Sequence, residues 1–243
     1  LAIVAGTAKT LTANAFTRTG YTFQGWTTNA DGTGTTYTNS QSVTLYANVT
    51  LYAKWLAGTF AVTFGSNTAT GSKLTTNNMP NQSFTAGTPF TLSANVWYKT
   101  GFLFAGWSAT NGTSTVIYTD QQQVTLYGAT TIYAQWTPVF VVSYNANATA
   151  GSFTGTVPAS ANSVDGAAIT VATNSGNLAK SGLTFAGWNT KADGTGTSYF
   201  AGSSFAPTKD TILYAMYLSA CTPSQSAANG YVVLTFTGTG NCL

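Results

Sequence analysis

Trp26, Trp107 and Trp188 stand 81 residues apart, and each ends the same short stretch. Gly20-Tyr21-Thr22-Phe23-Gln24-Gly25-Trp26 recurs as Gly101-Phe102-Leu103-Phe104-Ala105-Gly106-Trp107 and as Gly182-Leu183-Thr184-Phe185-Ala186-Gly187-Trp188. Leu51-Tyr52-Ala53-Lys54-Trp55 returns at the same step as Ile132-Tyr133-Ala134-Gln135-Trp136 and as Leu213-Tyr214-Ala215-Met216-Tyr217. Tyr37, Tyr118 and Tyr199 keep the step, and so do the cations Arg18, Lys99 and Lys180. Independent markers at one period define a tandem array, so the fold has to be read one repeat at a time. The boundaries fall at 1–56 for repeat 1, 57–137 for repeat 2 and 138–218 for repeat 3, followed by a tail, 219–243.

Each repeat reads as mainly β. In repeat 2 the strand candidates are Phe60–Phe64, Gln82–Ala86, Leu103–Trp107, Thr115–Thr119 and Thr131–Trp136, which are β-branched or aromatic and mostly alternate. Asn111-Gly112 reads as a hairpin connection, and Asp31-Gly32 and Asp193-Gly194 fill its place in the other repeats. One short helix per repeat, near Thr91–Val96 in repeat 2, is the helical element expected. A unit this small needs its large rings inside. The expected core is therefore Phe23, Trp26 and Trp55 in repeat 1, Phe104, Trp107 and Trp136 in repeat 2, and Phe185, Trp188 and Tyr217 in repeat 3. The competing role for these rings is a platform on which surface glycans stack. Gly106 and its equivalents mark a bulge or a close backbone approach beside the tryptophan.

These same residues carry a resemblance. GYTFQGW, a Gly/Thr turn and then TLYAKW closely resemble the Listeria–Bacteroides repeat, the kind found as B-repeats in internalin surface proteins. The match spans residues 1–217 and departs at Tyr217, where a tryptophan would close the repeat. The resemblance implies three small β-grasp-like domains in a linear array on an extracellular, cell-surface protein. It also implies no enzymatic activity.

Composition narrows the function in the same direction. The chain has no His and no Glu, and its five acids are Asp31, Asp120, Asp165, Asp193 and Asp210. That removes Ser-His-Asp and Cys-His catalysis and imidazole metal sites, and leaves few candidates for a paired-carboxylate hydrolase. No enzyme, cofactor or metal site is expected. The Asp31 and Asp193 loops faintly resemble calcium loops, but each brings one carboxylate where a calcium ion takes six to eight oxygens. A net charge of +3 is too thin for a nucleic-acid face, and no apolar run approaches the ~20 residues of a membrane span. An isopeptide role for the recurring cation fails at Arg18, which cannot perform that chemistry. Cys221 and Cys242 stand together in the tail, and in a Thr-rich, charge-poor chain of extracytoplasmic type they are expected to form a disulfide.

The phase of the repeat is the most informative feature. Residues 1–16 align on residues 82–97, so repeats 2 and 3 each carry about 25 upstream residues that repeat 1 lacks. Those residues include a first strand, Phe60–Phe64 in one case and Phe140–Tyr144 in the other. The tail carries a surplus strand, residues 231–237, whose Val232, Leu234 and Phe236 match Phe60, Val62 and Phe64 in alternation and bulk. Three readings follow. The tail strand completes repeat 1 of the next molecule, giving a head-to-tail homopolymer by donor-strand exchange. It pairs with its own third repeat. Or the sequence is an excerpt of a longer array and the cut is incidental. The first is preferred, because an unfilled strand position leaves backbone groups and apolar surface exposed. The resulting expectation is a structural subunit of a surface filament or stalk, with a glycan-binding or adhesion module as the alternative.

Overall fold

The protein is described by a computed structural model covering residues 2–74, 78–112, 115–148, 152–219, 223–228 and 231–236, the last two segments as backbone. It divides into two compact units, Leu1–Thr100 with Phe104–Trp136, and Gly101–Leu103 with Thr137–Leu243. Repeats 1 and 2 thus share one unit. Their junction is hydrogen-bonded: Gly58 N–H donates to Gly20 O, Ala86 N–H to Gly58 O, and the Tyr21 hydroxyl to Ala86 O.

Repeat 1 contains β1 (Ala8–Thr10), β2 (Tyr21–Thr27), β3 (Thr36–Tyr37), β4 (Ser42–Thr44) and β5 (Tyr52–Ala57). They form a sheet ordered β3-β2-β5 and a separate β1–β4 pair. Repeat 2 contains β6 (Thr59–Gly65), β7 (Gly71–Ser72), β8 (Gln82–Thr85), β9 (Phe90–Thr91), β10 (Trp97–Tyr98), β11 (Phe102–Ser108), β12 (Gln123–Val124) and the first part of β13 (Thr130–Asn145). Here β6 lies between β8, antiparallel to it, and β13, parallel to it, with Val62 opposite Thr130 and Phe64 opposite Ile132. Repeat 3 uses the rest of β13 with β14 (Phe153–Thr154), β15 (Ala161–Val164), β16 (Ile169–Thr170), β17 (Ala179–Lys180), β18 (Leu183–Asn189), β19 (Ser198–Tyr199), β20 (Ser204–Phe205) and β21 (Thr211–Ser219). Its first strand repeats the arrangement, antiparallel to β15 on one edge and parallel to β21 on the other.

The three-repeat, all-β reading holds, with two local corrections. No helix occurs among the described residues; Thr91 ends β9, and residues 92–96 are irregular. Side chains take the backbone groups that a helix would need. Gln82 Oε1 accepts from Ser93 N–H, Asp120 Oδ1 accepts from Asn95 N–H, and Asn95 Oδ1 accepts from Trp97 N–H. The expected strand Thr115–Thr119 is reduced to a single bridge, Tyr118 with Trp107, beside the Gly106 irregularity.

That irregularity explains the repeated aromatic pair. In a regular strand, residues three apart face opposite sides. The β2–β5 register slips between Phe23 and Gly25, and the β18–β21 register slips between Phe185 and Gly187. The extra residue turns Trp26 onto the side of Phe23, with ring centroids 5.2 Å apart. The same pairs stand at 5.0 Å in repeat 2 and 5.1 Å in repeat 3. Gly106 has φ of 139°, and a Cβ there would lie 2.6 Å from Tyr118 O, so the position requires glycine.

The tail also departs from expectation. The surplus strand is present as β23 (Tyr231–Phe236), and the Ser-rich segment before it, where no strand is expected, is itself a strand, β22 (Pro223–Ala228). The two pair antiparallel, Pro223 opposite Phe236 and Ala228 opposite Tyr231, in a sheet of their own rather than with the strands of repeat 3. Asn229-Gly230 joins them in the sequence, the dipeptide that favours a two-residue hairpin connection. The expected Cys221–Cys242 disulfide lies outside the described residues.

Candidate functional site

Repeats 2 and 3 bury the inward-facing side chains of their first strands. Val62 and Phe64 sit in one core with Phe84, Leu92, Trp97, Trp107 and Ile132. The Phe64 ring lies 5.0 Å from Trp107. In repeat 3, Val142 and Tyr144 join Val171, Leu178, Trp188 and Leu213, with Tyr144 4.7 Å from Trp188. The outer rings close over this core. Trp136 Nε1–H donates to the carbonyls of Ser66 and Asn67, and Tyr217 OH donates to Ala146 O. Partial burial raises the Tyr217 phenol pKa.

Repeat 1 has the same walls around an open space. Ile3, Leu11, Trp26, Tyr46, Val49 and Leu51 line a cavity of about 660 Å³. By the 81-residue step, Ile3, Leu11, Trp26 and Leu51 are the counterparts of Phe84, Leu92, Trp107 and Ile132, the residues that enclose Val62 and Phe64. Leu11 and Val43 are the buried apolar side chains among the described residues of repeat 1. Trp26 is half-buried. The expected core assignment therefore describes Trp107 and Trp188, which are fully buried, better than Trp26. Phe23, Trp55, Phe104, Trp136, Phe185 and Tyr217 are half-buried and flank the cores. Full burial also bars Trp107 and Trp188 from stacking on a glycan.

The backbone shows the same opening. Thr130–Ile132 belong to β13 because β6 pairs with them, whereas their counterparts Val49–Leu51 are in no strand. Ser83–Thr85 belong to β8 for the same reason, and their counterparts Ala2–Val4 are irregular. Two unpaired edges thus face the cavity of repeat 1.

An asparagine clasp, one component that sequence reasoning passed over, marks how far the opening reaches. Asn95 Oδ1 accepts from Trp97 N–H, while its Nδ2 donates to Trp97 O. Asn174 holds Leu178 in this way, and Asn14 holds Phe16. Trp97 is 3% exposed and Leu178 1%, but Phe16 is 65% exposed. The clasp delivers a large apolar side chain to a wall that the upstream segment covers in repeats 2 and 3, with β7 pairing to Trp97 in repeat 2.

The polar loops are occupied by their own turns. Asp31 Oδ1 accepts from the Thr33 hydroxyl and N–H, and Asp193 Oδ1 accepts from the N–H and hydroxyl of Thr195. These bonds lower both carboxyl pKa values below the usual 3.8. Arg18 lies over the Tyr21 ring at 3.8 Å, and Lys99 donates to the Thr68 hydroxyl.

Tandem all-β repeats define the class: a modular β-repeat protein. A family model for the Listeria-Bacteroides repeat domain matches residues 3–54, 60–135 and 140–216, and the chain belongs to that family. Repeats of this family are typical of bacterial surface proteins. No curated protein and no solved structure matches the chain.

Proposed function

We propose that this chain is a non-catalytic structural subunit of an extracellular bacterial surface filament or stalk, assembled head to tail by strand exchange. The observation that supports it is the repeat 1 groove, an unfilled first-strand position whose filled form is seen twice in the same chain. The tail supplies a strand of matching alternation in Val232, Leu234 and Phe236. Burying three such side chains contributes about 1.5–3 kcal/mol each. Ladder hydrogen bonds add roughly 0.5–1.5 kcal/mol apiece. Together these offset much of the cost of association. A contact of this kind joins unlike ends and does not close, so it propagates.

Negative-stain microscopy of the wild type and of Leu234→Asp tests the proposal. Fibres from the wild type and dispersed particles from the variant are expected, because a carboxylate would have to be buried in an apolar groove. Fibres from both proteins, or from neither, would overturn it.

A further inference from the structure

A cavity of about 490 Å³ lies at one end of the repeat 3 sheet, apart from the aromatic cores. That is within the ~300–1,000 Å³ typical of small-ligand sites. The strands explain its position. β18 ends at Asn189 and β21 begins at Thr211, and the two run antiparallel with Asn189 opposite Tyr214. The turn after β18 and the turn before β21 therefore stand side by side. The first brings Lys191 to the cavity, and the second brings Lys209 and Asp210. Along β21, Leu213 and Ala215 are fully buried, so the alternate residues Ile212 and Tyr214 face away from the core, where they line the cavity.

These residues are particular to repeat 3. By the 81-residue step, Lys191 stands where the other repeats have Thr110 and Asn29, Lys209 where they have Gly128 and Ala47, and Asp210 where they have Ala129 and Asn48. A chain with only 8 cations and 5 acids thus gathers three charges around one cavity that its sister repeats leave neutral. The tyrosine differs in its surroundings. In repeat 2 the Tyr133 ring lies on Gly65, where a Cβ would stand 2.4 Å from Cδ1. Repeat 3 has Asn145 opposite Tyr214, and Tyr214 borders the cavity. Among the described residues, neither Lys191 nor Lys209 has a carboxylate within 4.0 Å. Asp210 Oδ1 accepts from Val141 N–H, which ties that carboxylate to β13. Asp193, two residues from Lys191, is engaged by Thr195.

We propose that this cavity binds a uronate residue of an acidic polysaccharide. Its two ammonium groups outnumber its one carboxylate, so it favours a ligand with a single negative charge over a neutral one. Asp210 disfavours a compact dianion such as phosphate, but its second oxygen can accept from a hydroxyl. A uronate supplies both partners: a carboxylate for the lysines and ring hydroxyls for Asp210. Its C–H face packs on Tyr214, with Ile212 extending the apolar floor. An acidic peptide brings carboxylates without the neighbouring hydroxyls that would use Asp210. The site is independent of strand exchange and serves a single molecule as well as a filament.

Biolayer interferometry with the full chain tests the proposal. The probes are immobilised glucuronate, galacturonate and mannuronate oligomers, each beside its methyl ester, and an aspartate peptide of equal charge. Binding to at least one of the three acids is expected, with its ester and the peptide at least about tenfold weaker. Lys191→Ala/Lys209→Ala should weaken binding at least about tenfold, while Lys9→Ala, an exposed cation outside the cavity, should leave it unchanged. Tyr214→Ala should weaken it too, and Tyr214→Phe should retain it. Equal losses in Lys9→Ala and the double lysine variant would mean diffuse attraction to cations. Preference for the peptide would mean a peptide site, and indifference to esterification a neutral-sugar platform. Any of these results, or binding to none of the three acids, would overturn the proposal.

Discussion

Repeats 1 and 2 share a pattern of residues and differ in one strand. Both have the Gly-bulged aromatic strand, the T-shaped Phe–Trp pair and a closing aromatic, Trp55 or Trp136. In repeat 2, β6 turns those pieces into a dry core, with Trp107, Leu92 and Ile132 inaccessible. In repeat 1 the same pieces enclose a groove, and Trp26, Leu51 and Phe16 face it or the solvent. The comparison teaches that the aromatic motif makes the walls and the first strand makes the core.

The largest break in the comparison comes from the central indole. Trp107→Ala should cost about 3–5 kcal/mol, while Trp26→Ala in the dispersed protein should cost about 1–2 kcal/mol, because the ring is only half-buried. Urea melts of the two variants check this, and equal losses would erase the distinction between core and groove. Next comes the bulge. Gly106→Ala forces a Cβ against Tyr118 O at a φ of 139° and should cost about 1–3 kcal/mol, and Gly25→Ala, which meets Tyr37 O, should also be disfavoured. Thermal midpoints of both variants would show it.

The clasp sharpens the contrast at smaller scale. Asn95→Ala releases both backbone bonds to a buried Trp97 and should cost about 1–2 kcal/mol. Asn14→Ala releases the same bonds to an exposed Phe16, where water replaces them, and should cost roughly 0.5 kcal/mol or less. The smallest effect belongs to the turns. The folded pKa values of Asp31 and Asp193 lie below their ordinary value, so the turns contribute stability at neutral pH that is lost as pH falls through the folded values. Between pH 7 and pH 3, the double variant Asp31→Asn/Asp193→Asn should lose less of its urea midpoint than the wild type. An identical loss would remove the turns from the acid response.

Much of this was legible in the residues. The step of the repeat placed Trp26, Trp107 and Trp188 in equivalent positions, and Gly106 announced its bulge, because a glycine beside a bulky ring has few other uses in a strand. The hairpin was missed because Pro223-Ser224-Gln225-Ser226 has the composition of a linker; the pairing signal was the Asn229-Gly230 dipeptide, not the strand propensity of its flanks. The helix near Thr91–Val96 was wrong for a related reason. Ser93 and Asn95 are short polar residues whose backbone groups are taken by Gln82 and Asp120, and Asn95 binds Trp97 in turn. No periodicity of apolar residues records such bonds.

Hydrogen exchange at residues 49–52 tests the proposed assembly most directly. These amides border the open edge of repeat 1, whereas their counterparts at 130–133 are held against β6. In the assembled wild type, peptides spanning 49–52 should exchange as slowly as those spanning 130–133. In dispersed Leu234→Asp they should exchange at least a hundredfold faster, with 130–133 unchanged. Equal, rapid exchange at 49–52 in both states would contradict the account, because it would mean that no strand enters the groove when the protein assembles.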